Sequence, residues 1–154
     1  MLQSGAARCS QITMISSIVC RGYKTSKLVE LARYDWVDDW ITDELFPIQP
    51  HRDVRRKIEF IQCEYDNPSS KEVLKELVHH GLKRPTHEDA LEFGLQHPSA
   101  GTPWIYVFLH EPVLMPIGLC GVLGVGGHGR RNLGVHQFDR RWHRGDLFAG
   151  IRED

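Results

Sequence analysis

The chain has 154 residues, a formal net charge of −1 and 41% apolar residues. These values are typical of one ordinary globular domain, and the near-zero charge gives no overall attraction to nucleic acid or to an anionic membrane. No apolar run approaches the roughly 18 residues that cross a bilayer, so we expect no transmembrane helix.

Four cysteines lie far apart in the sequence and form no C-x-x-C pair: Cys9, Cys20, Cys63 and Cys120. A secreted disulfide framework normally shows closer spacing in a shorter chain. The cysteines therefore predict free thiols and a cytoplasmic protein.

Residues 1–27 differ from the rest of the chain because they hold four basic residues, five serines and no acidic residue. Disordered leaders and organelle transit peptides share this composition. We expect a disordered leader or a non-native N-terminal extension over 1–27, with a targeting segment as the alternative. A single α+β domain is expected over 28–154.

The first elements of this domain follow from the spacing of apolar residues. The stretch "SKLVELARYDWV" has helical spacing and predicts a short N-terminal helix, and "DDWITDELFPIQP" predicts an irregular bridge. The stretch "RRKIEFIQCEY" combines β-branched and aromatic residues with charged neighbours, which predicts a strand.

The segment 69–97 predicts two helices joined by a short connection. Ser69 and Glu72 have capping-box spacing, Gly81 follows the first apolar stripe, Thr86 begins the second helix and Pro98 ends it. The second helix is acidic and would be repelled by DNA phosphates. We therefore expect a packed αα-hairpin and no DNA-binding helix-turn-helix.

The last third contains four strand-like runs separated by turns rich in Gly and Arg: "WIYVFLHEP", "GLCGVLGV", "NLGVHQF" and "DLFAGIRED". Such runs predict an antiparallel meander. The expected fold class is α+β: a short N-terminal helix, one strand, an αα-hairpin and a C-terminal antiparallel β meander.

The order of these motifs resembles that of a family of uncharacterised bacterial proteins from candidate-phyla genomes. Its pattern runs "YDWVN-ITDENFP", "GLRPAT-EELLAFG", "FPIVALGS" and "W---FAAVRK". The matching stretches here are "ARYDWVDDWITDELFPI", "PSSKEVLKELVHHGLKRPTHEDALEFGLQHP" and "FDRRWHRGDLFAGIRED", whereas "TPWIYVFLHEP" departs from the pattern. The resemblance covers about residues 28–152 and implies one compact domain. It assigns no activity and no catalytic residues.

The run "GVGGHGRRN" contains Gly124, Gly126 and Gly129 at the spacing of a dinucleotide-binding loop. Such a loop needs a helix directly after the glycines, whose N-terminus faces the phosphates. The residues that follow alternate as in a strand, and too few remain for a βαβ unit. The run therefore predicts the tip of a β-hairpin, and no nucleotide or other cofactor is expected.

Two sets of residues are candidate binding sites, and each has an ordinary structural explanation. The first is a C-terminal basic set that could bind nucleic acid or another anion: Arg130, Arg131, Arg140, Arg141, Trp142 and Arg144. The second is an acidic-aromatic set of the kind that binds or cleaves carbohydrate: Asp35, Trp36, Asp39 and Trp40. We favour the structural explanations: solubilising turns for the first set, and a solvated bridge with core tryptophans for the second.

No metal site is expected, because Cys120 and the later histidines lack the close pairs common in structural zinc sites. No motif of a known catalytic type is present either. We therefore favour a small non-enzymatic binding or interaction protein of the bacterial cytoplasm, with a protein as one candidate for its unidentified partner. Anion or nucleic-acid binding and carbohydrate binding or catalysis are the two alternatives.

Overall fold

A computed structural model describes residues 10–98 and 103–153. It contains three helices and seven strands in the order β1 (Ser10–Cys20), α1 (Thr25–Ala32), β2 (Trp36–Val37), β3 (Val54–Cys63), α2 (Ser70–His79), α3 (His87–Gln96), β4 (Ile105–Leu114), β5 (Cys120–Gly126), β6 (Asn132–Gln137) and β7 (Leu147–Arg152). No helix within these two ranges is long and apolar enough to cross a membrane.

The seven strands form one mixed sheet with the order β1-β3-β7-β4-β5-β6-β2. Four neighbouring pairs are antiparallel, and the pairs β7–β4 and β6–β2 are parallel. The described chain is thus a sheet with two edges, β1 and β2, and with helices packed on both faces.

Strand β1 lies in the segment for which we expected a disordered leader. It pairs antiparallel with β3 from Ser10 to Cys20, with one irregularity between Ile12 and Met14. Near its end the side chains of Ile18 and Cys20 are buried in the core, two residues apart as expected of a strand with one inward face. The described part of the expected leader is therefore folded, and residues 1–9 lie outside the described residues.

The two faces of the sheet carry separate apolar cores because successive strand residues point to opposite sides. Phe60 and Phe108 pack against α1 and α3 on the first face. Ile61 and Val107, their neighbours in β3 and β4, pack against α2 and the buried Trp142 on the second face.

The predicted αα-hairpin is wrong, although both of its helices and their caps exist. Ser69 and Glu72 form the capping box of α2, and Thr86 caps α3 through the backbone N–H of Asp89. However, α2 and α3 lie on opposite faces of the sheet. The two helices are therefore not packed against each other, although they are capped as predicted and joined by a short connection.

The connection between α2 and α3 crosses the sheet between β7 and β4. Lys83 exchanges two backbone hydrogen bonds with Ile151 of β7. The Arg84 side chain donates to the carbonyl oxygens of Leu109 and His110 in β4. At about 3.3 Å per residue, an extended connection is long enough to pass from one face to the other.

The predicted C-terminal meander is also wrong as a layout. Strands β4, β5 and β6 are antiparallel neighbours in sequence order, but β7 returns to lie between β3 and β4 and runs parallel to β4. The expected α+β arrangement of one strand, a helical hairpin and a separate meander is thus replaced by one mixed sheet covered on both faces.

Candidate ligand-binding cleft

A cleft of about 360 Å³ opens at the end of the sheet where β4, β5 and β6 meet the segment after Phe138. We call it the tryptophan cleft. Tryptophan, histidine and glycine residues dominate its lining, which includes Trp36, Trp104, Gly134, His136, Arg140, His143 and Asp146. Its volume lies within the range of small-molecule sites, about 300–1,000 Å³.

His136 occupies the floor of the tryptophan cleft, where two glycines make room for its ring. Gly124 and Gly134 are direct partners across β5 and β6. A Cβ on Gly124 would lie 2.7 Å from Cδ2 of His136, and a Cβ on Gly134 would lie 3.2 Å from its Nε2. The imidazole therefore lies over a bare patch of backbone that larger residues would close.

The protonation state of His136 follows from its surroundings. Burial, and then the neighbouring Arg140 guanidinium, lower the pKa of His136 to about 4. Arg140 lies 3.2 Å from Nδ1 of His136 and can only donate, so Nδ1 is the acceptor and Nε2 carries the proton. At neutral pH the imidazole is an uncharged donor.

Arg140 is the cation of the tryptophan cleft. Its guanidinium carbon lies 4.7 Å from the ring centroid of Trp142, which fixes the arginine over an aromatic face. Within the described ranges, no carboxylate forms a salt bridge with Arg140. Its positive charge is available to a ligand.

Asp146 is the one acidic residue that lines the tryptophan cleft in the described ranges, and its oxygens are engaged. One oxygen accepts from the backbone N–H of Ile105 at 3.2 Å, and the other accepts from that of His143 at 3.0 Å. Asp146 therefore fixes the two segments that frame the cleft, and the groups presented to a ligand are mainly donors.

Two partly exposed indoles complete the tryptophan cleft. Trp36 is 55% exposed and Trp104 is 43% exposed. The Trp36 ring lies 3.7 Å from the position of a Cβ on Gly134, and the Trp104 ring covers Gly145 so closely that a Cβ there would overlap the ring. Because partly exposed indoles can stack on a ligand ring, these two side chains give the cleft its apolar surface.

The run "GVGGHGRRN" forms the β5–β6 hairpin tip that the sequence predicted. Gly126, Gly127, His128 and Gly129 all have positive φ, a conformation that favours glycine. No helix follows the tip, since the chain continues directly into β6. The glycines of the tip allow the backbone conformation of the turn, and Gly124 leaves room for the His136 ring.

The structure separates the six members of the predicted basic set. Arg140 lines the tryptophan cleft, Arg144 lines a neighbouring groove and Arg130 is exposed at the hairpin tip. Arg141 pairs with Glu72 at 3.0 Å. The remaining two, Arg131 and Trp142, are held by contacts within the fold.

Arg131 and Trp142 both stabilise the fold. The Arg131 side chain donates to the carbonyl oxygens of Ala32, Gly94 and Pro98. Trp142 is fully buried and its Nε1 donates to the hydroxyl of Ser70. The six residues do not form one surface, and Trp142 is inaccessible for stacking on a ligand.

The predicted acidic-aromatic set is also divided. Trp36 lines the tryptophan cleft, whereas Trp40 lines a separate apolar hollow. Asp35 accepts from the backbone N–H of Arg131 at 3.0 Å, and Asp39 is exposed. One member of each predicted set, Trp36 and Arg140, thus meets in the same cleft.

Neither predicted set contains four polar or aromatic residues that line the tryptophan cleft: Trp104, His136, His143 and Asp146. Trp104 begins a predicted strand, and His136 enters only as one of the histidines weighed for a metal site. The signal that points to His136 is the pair Gly124 and Gly134, since glycine inside a strand indicates a close approach by another group.

Within the described ranges, no three His, Cys, Asp or Glu side chains are arranged to hold a metal ion. Comparison of the chain with protein-family models, with characterised proteins and with solved structures gives no match. The resemblance to uncharacterised bacterial proteins therefore stays a prediction.

Proposed function

We propose that this chain is a binding protein for a small anion that carries a flat ring, held in the tryptophan cleft. The observation that carries the proposal is that Trp36, Trp104 and Arg140 line the same cleft. Stacking on the indoles accounts for the ring, and Arg140 accounts for the negative charge.

The donors of the cleft favour an anion over a neutral sugar. Arg140 has no carboxylate partner within the described ranges, and His136, which lines the same cleft, carries its proton on Nε2 and has no free acceptor nitrogen. Sugar hydroxyls need acceptors as well as donors, and both oxygens of Asp146 are already bonded to backbone N–H groups. A nucleoside monophosphate and an aromatic carboxylate are representative ligands of the expected class.

Tryptophan fluorescence and NMR titrations test this proposal with a panel of AMP, UMP and indole acetate and their uncharged counterparts. We expect the anions to bind and the uncharged compounds to bind roughly tenfold more weakly or worse, because a charge-assisted hydrogen bond is worth about 1.5–3 kcal/mol. Trp36→Ala and Arg140→Met should each weaken anion binding by a similar factor.

Matched controls are available for both substitutions. Trp40→Ala removes an indole, and Arg130→Met a cation, that do not line the tryptophan cleft, so neither should change affinity. The proposal fails if no anion of the panel binds, if the uncharged compounds bind equally well, or if the control variants lose affinity as the cleft variants do.

A further inference from the structure

The two edges of the sheet carry surfaces of opposite charge, and both surfaces expose apolar side chains. At the β1 edge an open depression of about 770 Å³ lies over β1, β3 and the end of β7. We call this the basic end and define it by Ile15, Arg55, Lys57 and Arg152. None of these residues belongs to the tryptophan cleft.

The cations of the basic end are held close together by the strand register. Lys57 of β3 is directly opposite Arg152 of β7. Like charges opposite each other on a sheet are destabilising. Arg152 is partly compensated by Glu59, whose two oxygens accept from its guanidinium at 2.9 Å each. Glu153, which also borders the depression, pairs with Lys83 at 2.6 Å.

Arg55 and Lys57 are both exposed, and within the described ranges neither forms a salt bridge, although Lys57 contributes to the lowered pKa of the neighbouring Glu59. Ile15 lies on the same face of the sheet as these two cations and is 60% exposed. The basic end is therefore an open depression with exposed cations and an exposed apolar side chain, which suits an acidic and apolar partner.

A surface of complementary character lies at the other edge of the sheet, beside β6 and β2. We call it the acidic end and define it by Asp38, Asp39, Trp40, Ile117 and Leu119. Trp40, Ile117 and Leu119 are exposed and line a small hollow together with Asp38. No Lys or Arg among the described residues lines that hollow.

We propose that the basic end of one copy binds the acidic end of a second copy, so that the chain self-associates head to tail. The two ends match in charge and in exposed apolar character, and an exposed Trp next to carboxylates is suited to anchor in a depression bordered by Arg and Lys. Since β1 and β2 are opposite edges of the sheet, both ends of one molecule are available at once. Such heterologous contacts build open chains.

A second copy is favoured over nucleic acid as the occupant of the basic end. Single-stranded nucleic acid binds through bases stacked on aromatic side chains, and no described residue lining the depression is aromatic. Trp104, His136 and Arg140 belong to neither end, so this inference does not depend on the proposed ligand.

Sedimentation velocity at low salt, from micromolar to near-millimolar protein, tests the inference. We expect the average mass to rise with concentration, and the association to weaken roughly tenfold when salt shortens the Debye length. Two variants each disable one end: the triple substitution I15S, R55Q, K57Q and the triple substitution D38N, D39N, W40A. Each alone should remain monomeric.

Mixing the two variants is the decisive step, because each keeps the end that the other lacks. We expect a 1:1 dimer that grows no further. K71Q with K75Q removes two positive charges from exposed positions of α2 and should associate like the wild-type chain. A wild-type chain that stays monomeric, a disabled variant that still associates, or a mixture that forms no dimer would each overturn the inference, and circular dichroism confirms that every variant is folded.

Discussion

At the scale of single residues, the arginines show how little local composition says about role. Arg130 and Arg131 are adjacent, and the sequence makes both candidates for ligand binding. In the structure Arg130 is exposed, whereas the Arg131 guanidinium donates to carbonyl oxygens at the ends of α1 and α3 and lies 5.1 Å from the ring centroid of Tyr34. A cation suits these positions because helix C-termini carry partial negative charge.

This contrast predicts opposite outcomes for neighbouring substitutions. Arg131→Met should lower the free energy of unfolding by about 2–3 kcal/mol, because it leaves the carbonyl oxygens of Ala32 and Gly94 without a donor. Arg130→Met should change it by less than about 0.5 kcal/mol, as is usual for an exposed position. Urea unfolding of both variants measures the difference, and equal effects would contradict the structural role of Arg131.

At the scale of elements, sequence pattern locates most helices and strands but not their arrangement. The capping box at Ser69 and Glu72 is local, so spacing alone is enough to find α2. Strand β1 is not predicted from the sequence, because residues 1–27 contain basic residues and no acidic residue, a composition typical of a leader. The crossing between α2 and α3 depends on Lys83 pairing with Ile151, a contact between residues 68 positions apart that no local pattern reports.

The same limit applies to the candidate site. Trp36 and Arg140 are each recognisable as chemically suitable, but in separate sets. They meet because β2 pairs in parallel with β6, which brings Trp36 beside Asn132. The sequence shows which side chains are chemically suitable, but it does not show which distant segments come together in the fold.

A glycine inside helix α3 leads to a stability prediction that is opposite to the usual effect of replacing glycine by alanine. Replacing a glycine inside a helix by alanine normally stabilises it by about 1 kcal/mol. At Gly94, however, a Cβ would overlap the hydroxyl oxygen of Tyr34. We expect Gly94→Ala to destabilise the chain by about 1–3 kcal/mol through overpacking.

A double-mutant cycle with Tyr34→Phe checks the cause of that effect. The Tyr34 hydroxyl is buried and has no hydrogen-bond partner among the described residues, so removing it should cost little. Gly94→Ala should then be less harmful when it is combined with Tyr34→Phe than in the wild-type chain. Unfolding free energies that simply add would show that Tyr34 is not the source of the strain.

At the scale of the whole molecule, buried neutral histidines set how stability depends on pH. His110 is 2% exposed and lies where the β4–β5 register shifts. Its Nδ1 donates to the Glu111 carbonyl and its Nε2 accepts from the backbone N–H of Leu123 at 3.0 Å. A protonated imidazole could not accept that bond, and burial is the main cause that lowers the pKa of His110 to about 4.

Because the folded pKa of His110 is below its unfolded value of 6.5, the unfolded chain binds more protons as the pH falls below that value. Stability should therefore fall by about 2 kcal/mol for this residue between about pH 7 and about pH 5. His136 acts in the same direction, whereas the raised pKa of His51 beside the Arg52 carbonyl and Glu88 opposes it.

His110→Gln isolates the contribution of one histidine, since glutamine can still donate and accept but does not titrate. Urea unfolding across this pH interval should show a shallower loss of stability in His110→Gln than in the wild-type chain, whatever its stability at neutral pH. The window lies above the range in which Asp and Glu protonate, so carboxylates contribute little to the comparison. An unchanged pH slope would mean that His110 is not the group that resists protonation in the folded sheet.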